Sequence, residues 1–168
     1  MTQMKESTRT CPQCRHPMVE REENYRYDGC GLPGVTLLGV TVATCHNCGE
    51  RAVGIVDADG LHRLLASIVA SKETSLTGVE IRFLRSWLGW TGAQFAAWMG
   101  TDPSTVSRWE SGKQFMSAQA ERLVRIYALK TIDVDSYESL LSIDDEVEPL
   151  HEVRVHPTRK GWVLDVAA

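Results

Sequence analysis

Residues 88–112 read LGWTGAQFAAWMGTDPSTVSRWESG, and they constrain the fold more than any other stretch because their start and stop signals fall at helical spacing. Thr91 stands three residues before Gln94, the Thr-x-x-Gln pattern in which the two side chains cap each other's backbone N–H at a helix start. Phe95, Trp98 and Met99 follow as an apolar face. Gly100 comes where a tight turn needs a residue without a side chain, and Asp102-Pro103 supplies an N-cap and a first-turn proline for a second helix. Val106 and Trp109 then face inward, leaving Ser104, Thr105, Ser107 and Arg108 on the outer surface. The pattern predicts two short helices joined by a glycine turn, a helix-turn-helix.

Short hydroxyls beside one arginine suit phosphate and base-edge contacts in a major groove. Helix pairs with a glycine turn also occur in small bundles that never meet DNA. Here the turn glycine, the Asp-Pro cap, the Ser-Thr-Ser-Arg surface and the Glu-Ser-Gly-Lys loop are independent signals, and together they point to DNA binding. Trp87, Trp90, Trp98 and Trp109 recur at helical spacing, which predicts packing rather than base stacking. The chain's net charge of -4 looks wrong for a DNA binder until it is divided: residues 1–76 carry -1, residues 77–130 carry +3 and residues 131–168 carry -6. The positive charge lies with the motif, and the acidity lies mostly in the tail.

These residues resemble the Xre-type helix-turn-helix family, which includes the lambdoid phage repressors, over about Thr77 to Lys130. The most family-like piece runs from Thr105 to Lys113, TVSRWESGK, as the end of a recognition helix and the loop after it. The resemblance implies an ion pair between an arginine late in the first helix and a glutamate after the recognition helix, which fall at Arg85 and Glu110. It places base contacts at Ser104 and Arg108, within a predicted DNA-binding set of Ser104, Thr105, Ser107, Arg108 and Lys113. Gly92 stands where many relatives carry a phosphate-contacting glutamine.

Four cysteines form two pairs, Cys11-Pro-Gln-Cys14 and Cys45-His-Asn-Cys48. Paired C-x-x-C units bend thiolates toward one point and suit tetrahedral zinc, so one structural zinc per chain is expected on Cys11, Cys14, Cys45 and Cys48. Disulfides are less suited to an intracellular chain, and a thioredoxin-like site needs one such pair in a strand–helix context. A four-thiolate set has no open position for catalysis, and no nucleophile with its base stands out, so the chain is not expected to be an enzyme. His16 and His46 read as solvated or outer-shell neighbours, and Cys30 as a small loop residue rather than a redox sensor.

Met18 to Tyr27 and Val35 to Thr44 read as strands of a zinc ribbon, with Gly29 to Gly34 as their turn. Asp59 to Glu73 reads as a helix with Leu61, Leu64, Leu65, Ile68 and Val69 on one face, sealing the ribbon, and Ser71 to Ser75 as a hinge. Thr77 and Glu80 form a further capping box, and Ser117 caps a helix with Ala120, Leu123, Val124 and Tyr127 inward. Asp133 to Pro149 is acidic and ambiguous, while His151 to Val155 and Trp162 to Val166 read as a β-hairpin across Pro157 to Gly161. The expected architecture is mainly α with a small β zinc ribbon: a zinc-ribbon domain with its covering helix at 1–76, an Xre-type helical domain at 77–130, and an acidic segment with a β-hairpin extension at 131–168. No signal-peptide core or long apolar span appears, so a soluble cytoplasmic protein without membrane contact is expected.

A two-C-x-x-C ribbon followed by an Xre-type domain resembles the MqsA-like (YgiT-type) antitoxin family. The resemblance implies a homodimer that binds a double-stranded operator, represses its own operon and neutralises a protein toxin through the zinc domain. Residues 131–168 extend beyond where such a protein is expected to end. An antitoxin of a type II toxin-antitoxin pair and a stand-alone zinc-containing transcriptional regulator therefore both stand as readings.

Overall fold

The computed structural model describes residues 5–132, 140 and 143–165. In chain order its elements are β1 (Lys5–Thr10), β2 (Pro17–Arg26), β3 (Val35–Cys45), β4 (Arg51–Gly54), α1 (Ala58–Ala70), β5 (Thr74–Ser75), α2 (Gly78–Trp87), α3 (Gly92–Trp98), α4 (Pro103–Glu110), α5 (Ala118–Thr131), β6 (Asp144–Val147), β7 (Val153–Thr158) and β8 (Gly161–Leu164). Two compact units result, one from Met1–Asp28, Gly34–Gly60 and Glu152–Ala168, the other from Gly29–Pro33 and Leu61–His151. No helix among the described residues is long and apolar enough to cross a membrane.

The first unit is a sheet organised around β3. Antiparallel β2 runs along one side of it, from Met18 opposite Cys45 to Arg26 opposite Thr36. The register shifts between Glu23 and Tyr25, so one extra β3 residue is accommodated near Gly39. This bulge shows in the burial pattern: Val35 and Leu37 are buried before it, Val40 and Val42 after it, which keeps one apolar face inward across the slip. The other side of β3 is shared. Its C-terminal part pairs with antiparallel β4, and its first residues, Val35 to Leu37, pair in parallel with Val153 to Val155 of β7.

The C-terminal hairpin thus corrects an expectation. It forms, with Thr158 opposite Gly161, but β7 continues the sheet of the cysteine ribbon instead of standing as an extension. Apolar Val153 and Val155 provide the reason, because both are buried in that sheet. Trp162 is buried with them, and its indole N–H donates to the carbonyls of Val56 and Asp57. Val166, expected in the second strand, lies outside the described residues, as does most of the ambiguous acidic stretch.

In the second unit, α1 buries Leu61, Leu65, Ala66, Val69 and Ala70 and ends at Ala70, short of the expected Glu73. Of the Ser71 to Ser75 segment expected as a hinge, the last two residues form β5, paired in parallel with β6. Its backbone is held by Arg125, which accepts no exposure to solvent and donates to the carbonyls of Ala70, Lys72 and Thr74 and to Glu121. Glu121 also takes the N–H of Leu76. Glu80, buried at the start of α2, takes the ammonium of Lys72 and the N–H groups of Thr77 and Leu150.

These buried charges rotate α5 away from the expected phase. Glu121, Val124, Arg125, Ala128 and Leu129 face inward, whereas Leu123 is exposed and Ala120 and Tyr127 are half-buried. The tryptophan expectation holds for Trp109, which is buried against Phe95. Trp87 and Trp90 are half-buried, and Trp98 is 56% exposed. Because the short α3 already turns Phe95 and Ala96 into the core, the ring of Trp98 stacks on Trp90 at 5.5 Å and meets the edge of Tyr127 instead.

Candidate metal centre and nucleic-acid interface

The two cysteine pairs sit on matching backbone loops. Cys45 ends β3, and Cys11 follows β1. In each loop the residue after the second cysteine takes a left-handed conformation, Arg15 at φ 61 and Gly49 at φ 77. Its N–H donates to the carbonyl of the first cysteine, Arg15 to Cys11 and Gly49 to Cys45, both at 2.9 Å. The first cysteine N–H closes the loop onto His16 in one case and Glu50 in the other. The left-handed position that a glycine fills at Gly49 is therefore taken by a non-glycine residue, Arg15, in the other loop.

Strand pairing of Met18 with Cys45 brings the loops together, over a small core of Cys11, Met18, Ala43 and Cys45. All four sulfurs lie within 4.8 Å of one another, with separations of 3.4 Å for Cys14–Cys45 and Cys14–Cys48 and 3.5 Å for Cys11–Cys48. A tetrahedron with metal–sulfur bonds of about 2.3 Å has edges of about 3.8 Å, so the set fits a divalent thiophilic ion. The same closeness makes the sulfurs perturb one another's ionisation. Cys14 is held at about 5, first by the backbone N–H of His16 and, against desolvation, by the side chains of Cys45, Asn47 and Cys48. Cys48 is pushed up to about 12: the Glu50 N–H pulls it down, but the Cys14 thiol, desolvation and the Cys11 and Cys45 thiols outweigh it. A cation at the centre would replace the protons that keep these thiols together.

His16 lies outside the four-sulfur group and its ring Nδ1 meets the Cys14 carbonyl at 3.0 Å, while His46 is exposed. Cys30 is also outside it, half-buried with its thiol directed to the Leu32 carbonyl.

The helix-turn-helix is built as its local signals require. Thr77 with Glu80 and Thr91 with Gln94 form complete capping boxes, and Asp102 caps α4 with Pro103 at its first position. Gly100 adopts φ 63 between α3 and α4, a conformation that strains any residue with a Cβ. Val106 and Trp109 are buried, while Ser104, Ser107, Arg108 and Lys113 are exposed and Thr105 is half-buried.

Arg85 and Glu110 meet as the resemblance implied, Nε to Oε1 at 2.5 Å, and Arg85 also donates to the Trp90 carbonyl. Arg85 Nη2 reaches Glu110 Oε2 at 3.3 Å as well, and Arg82 adds a third contact to Glu110 at 3.2 Å. Two features of this interface escaped the sequence reading. Gly78 abuts the end of α4 so closely that a Cβ there would lie 2.6 Å from the carbonyl oxygens of Trp109 and Glu110. Asp102 does more than cap: it also receives the hydroxyl protons of Ser104 and Thr105, whose oxygens in turn accept from Arg108. An acidic N-cap followed by two hydroxyl residues and an arginine one turn later was the available signal.

No curated protein and no solved structure matches the chain. Residues 77–136 match the family model of a helix-turn-helix domain, which supports the Xre-type resemblance over that stretch.

Proposed function

We propose that the chain is a sequence-specific DNA-binding repressor whose four cysteines hold one structural zinc and which acts as the antitoxin of a toxin-antitoxin pair. The observation that carries the DNA reading is the outer face of α4, where Ser104, Ser107 and Arg108 stand exposed on a helix fixed from behind by Val106, Trp109 and the Arg85–Glu110 pair. Arg108 and Ser104 are the base-reading groups, with Thr105, Ser107 and Lys113 beside the phosphates. A homodimer reads a palindrome with half-sites about one helical turn apart. Thiophilic ligands favour zinc, and four thiolates leave no open coordination position, which supports a structural rather than a catalytic role.

The antitoxin part rests on the resemblance to the MqsA-like family and on charge. Residues 1–76, at net -1, suit a basic protein partner better than phosphate. The stand-alone regulator is favoured by one observation: β7 and β8 complete the ribbon's sheet, in a part of the chain where the family pattern is expected to have ended. Co-expression of the full chain with the adjoining gene separates the two. The neighbouring product should arrest growth alone and be rescued by the full chain carrying Arg108→Ala, while that variant loses about 1–3 kcal/mol of operator binding. A harmless neighbour, or rescue that needs intact DNA binding, makes the stand-alone regulator the better reading, and equal weakening on operator and random duplex makes Arg108 a phosphate contact.

A further inference from the structure

We propose that Asp102 is a positioning residue for sequence reading: through the hydroxyls of Ser104 and Thr105 it aims Arg108, and so sets base preference without itself touching a base. The inference rests on the DNA reading above and extends it to a residue whose capping role alone would not select a sequence.

The geometry is a two-armed relay on one face of α4. Asp102 Oδ1 accepts the N–H groups of Ser104 at 2.9 Å and Thr105 at 3.1 Å, the ordinary N-cap contacts. The same carboxylate also accepts two hydroxyl protons, from Ser104 at Oδ1 (2.5 Å) and from Thr105 at Oδ2 (2.8 Å). A hydroxyl has one proton to give, so with it committed to Asp102 each oxygen faces Arg108 as an acceptor. Arg108 Nη2 donates to both, to Ser104 at 3.2 Å and to Thr105 at 2.9 Å. Two contacts at one end of a planar guanidinium fix its direction as well as its position. Nη1 keeps both its N–H groups outside these contacts, and they remain to donate to an acceptor on a base edge such as guanine O6 or N7.

The carboxylate is suited to hold this arrangement because it stays ionised. Donation from the Ser104 side chain first, then from the Thr105 side chain and backbone, keeps it well below the usual carboxylate range. A side chain ordered before binding loses less rotamer freedom on the DNA, and an arginine held in one direction rejects a displaced base more sharply than a mobile one. Removing the relay should therefore reduce discrimination more than affinity. It also removes a negative charge from near the phosphates, so binding to random duplex should hold or rise.

The test uses the full chain as wild type, Asp102→Ser, Arg108→Ala and the double variant, each presented with a library of randomised duplexes and then with single-base variants of the selected site. Serine caps a helix about as well as aspartate, but with one of its two lone pairs on the capped N–H its single oxygen cannot also receive both hydroxyl protons. Asp102→Ser should keep its melting temperature and its binding to random duplex, and lose roughly tenfold in discrimination at the base position that Arg108→Ala also relaxes. The double variant should be no worse there than Arg108→Ala. A DNA-free reading comes from the Arg108 Nη2 proton signals by NMR at low temperature, resolved from those of Nη1 in the wild type and averaged with them in both Asp102→Ser and Asp102→Asn. Full discrimination retained in Asp102→Ser, or a loss that adds to that of Arg108→Ala, overturns the relay while leaving DNA reading intact. A wild-type protein that selects no sequence overturns both.

Discussion

Replacing Arg125 with methionine tests whether the helical unit is held by buried charge. The side chain is fully buried, and all five of its N–H donors are used: two on Glu121, two on the carbonyls of Ala70 and Lys72, and one on that of Thr74. Methionine fills much of the same volume but strands three carbonyls and leaves the Glu121 carboxylate, among the described residues, with the Leu76 N–H alone. Truncating one partner of a buried pair costs about 3–5 kcal/mol, against a total stability of about 5–15 kcal/mol for a domain. The variant should thus lose about a fifth or more of its margin. Adding Glu121→Gln removes the stranded charge, so the double variant should be less damaged than the two singles summed, by about 0.5–3 kcal/mol. Urea titration read by hydrogen exchange in peptides from α2 and α4 keeps the measurement inside this unit. A midpoint for Arg125→Met unchanged from wild type, or strictly additive losses, would refute the claim that this guanidinium organises the 70–74 segment.

Three further outcomes are expected. Purified protein should contain about one zinc per chain, and Cys45→Ser or a strong chelator should remove it and melt the first unit's sheet, since ligation supplies on the order of 10 kcal/mol to small metal-dependent folds; native preparations without metal would contradict the assignment. Glu110→Ala should cost roughly 3 kcal/mol because it strands Arg85, whose side chain is only 16% exposed, and the Arg85→Ala/Glu110→Ala cycle by thermal denaturation should be non-additive. Gly78→Ala, although alanine is about 1 kcal/mol the better helix former, should destabilise by about 1–3 kcal/mol, because its methyl group meets backbone carbonyls that cannot rotate away; a raised melting temperature would show that α2 and α4 have room to part.

What could be read from the sequence was local. Thr91, Asp102, Thr77 and Ser117 act on groups two or three residues away, so their caps were legible, and a C-x-x-C loop carries its geometry within itself. The partners of β3 were legible on one side only. The β2 hairpin is local, whereas β7 arrives from beyond the helical unit and leaves no mark in the intervening residues. The phase of α5 was misread because apolar residues were taken as the inward set. Glu121 and Arg125 belong inside, and their i,i+4 spacing in step with Val124 and Ala128 was the sign of it. Trp98 shows the converse, an aromatic at core spacing that finds its partner on the surface.

The parallel pairing of Val35 to Leu37 with Val153 to Val155 also gives the molecule a history on the ribosome. β1 to β4 and both cysteine loops emerge early and can close at once. The first residues of β3 then wait with an open edge while the whole helical unit is synthesised, on the order of ten seconds at about 5–20 residues per second. During that interval the nascent ribbon exposes unpaired backbone groups and the apolar side chains that β7 will later cover, the conditions under which strands recruit the wrong neighbour. Premature termination after the helix-turn-helix would make this condition permanent. A fragment of that kind can carry a complete helix-turn-helix and still leave its cysteine ribbon prone to aggregate.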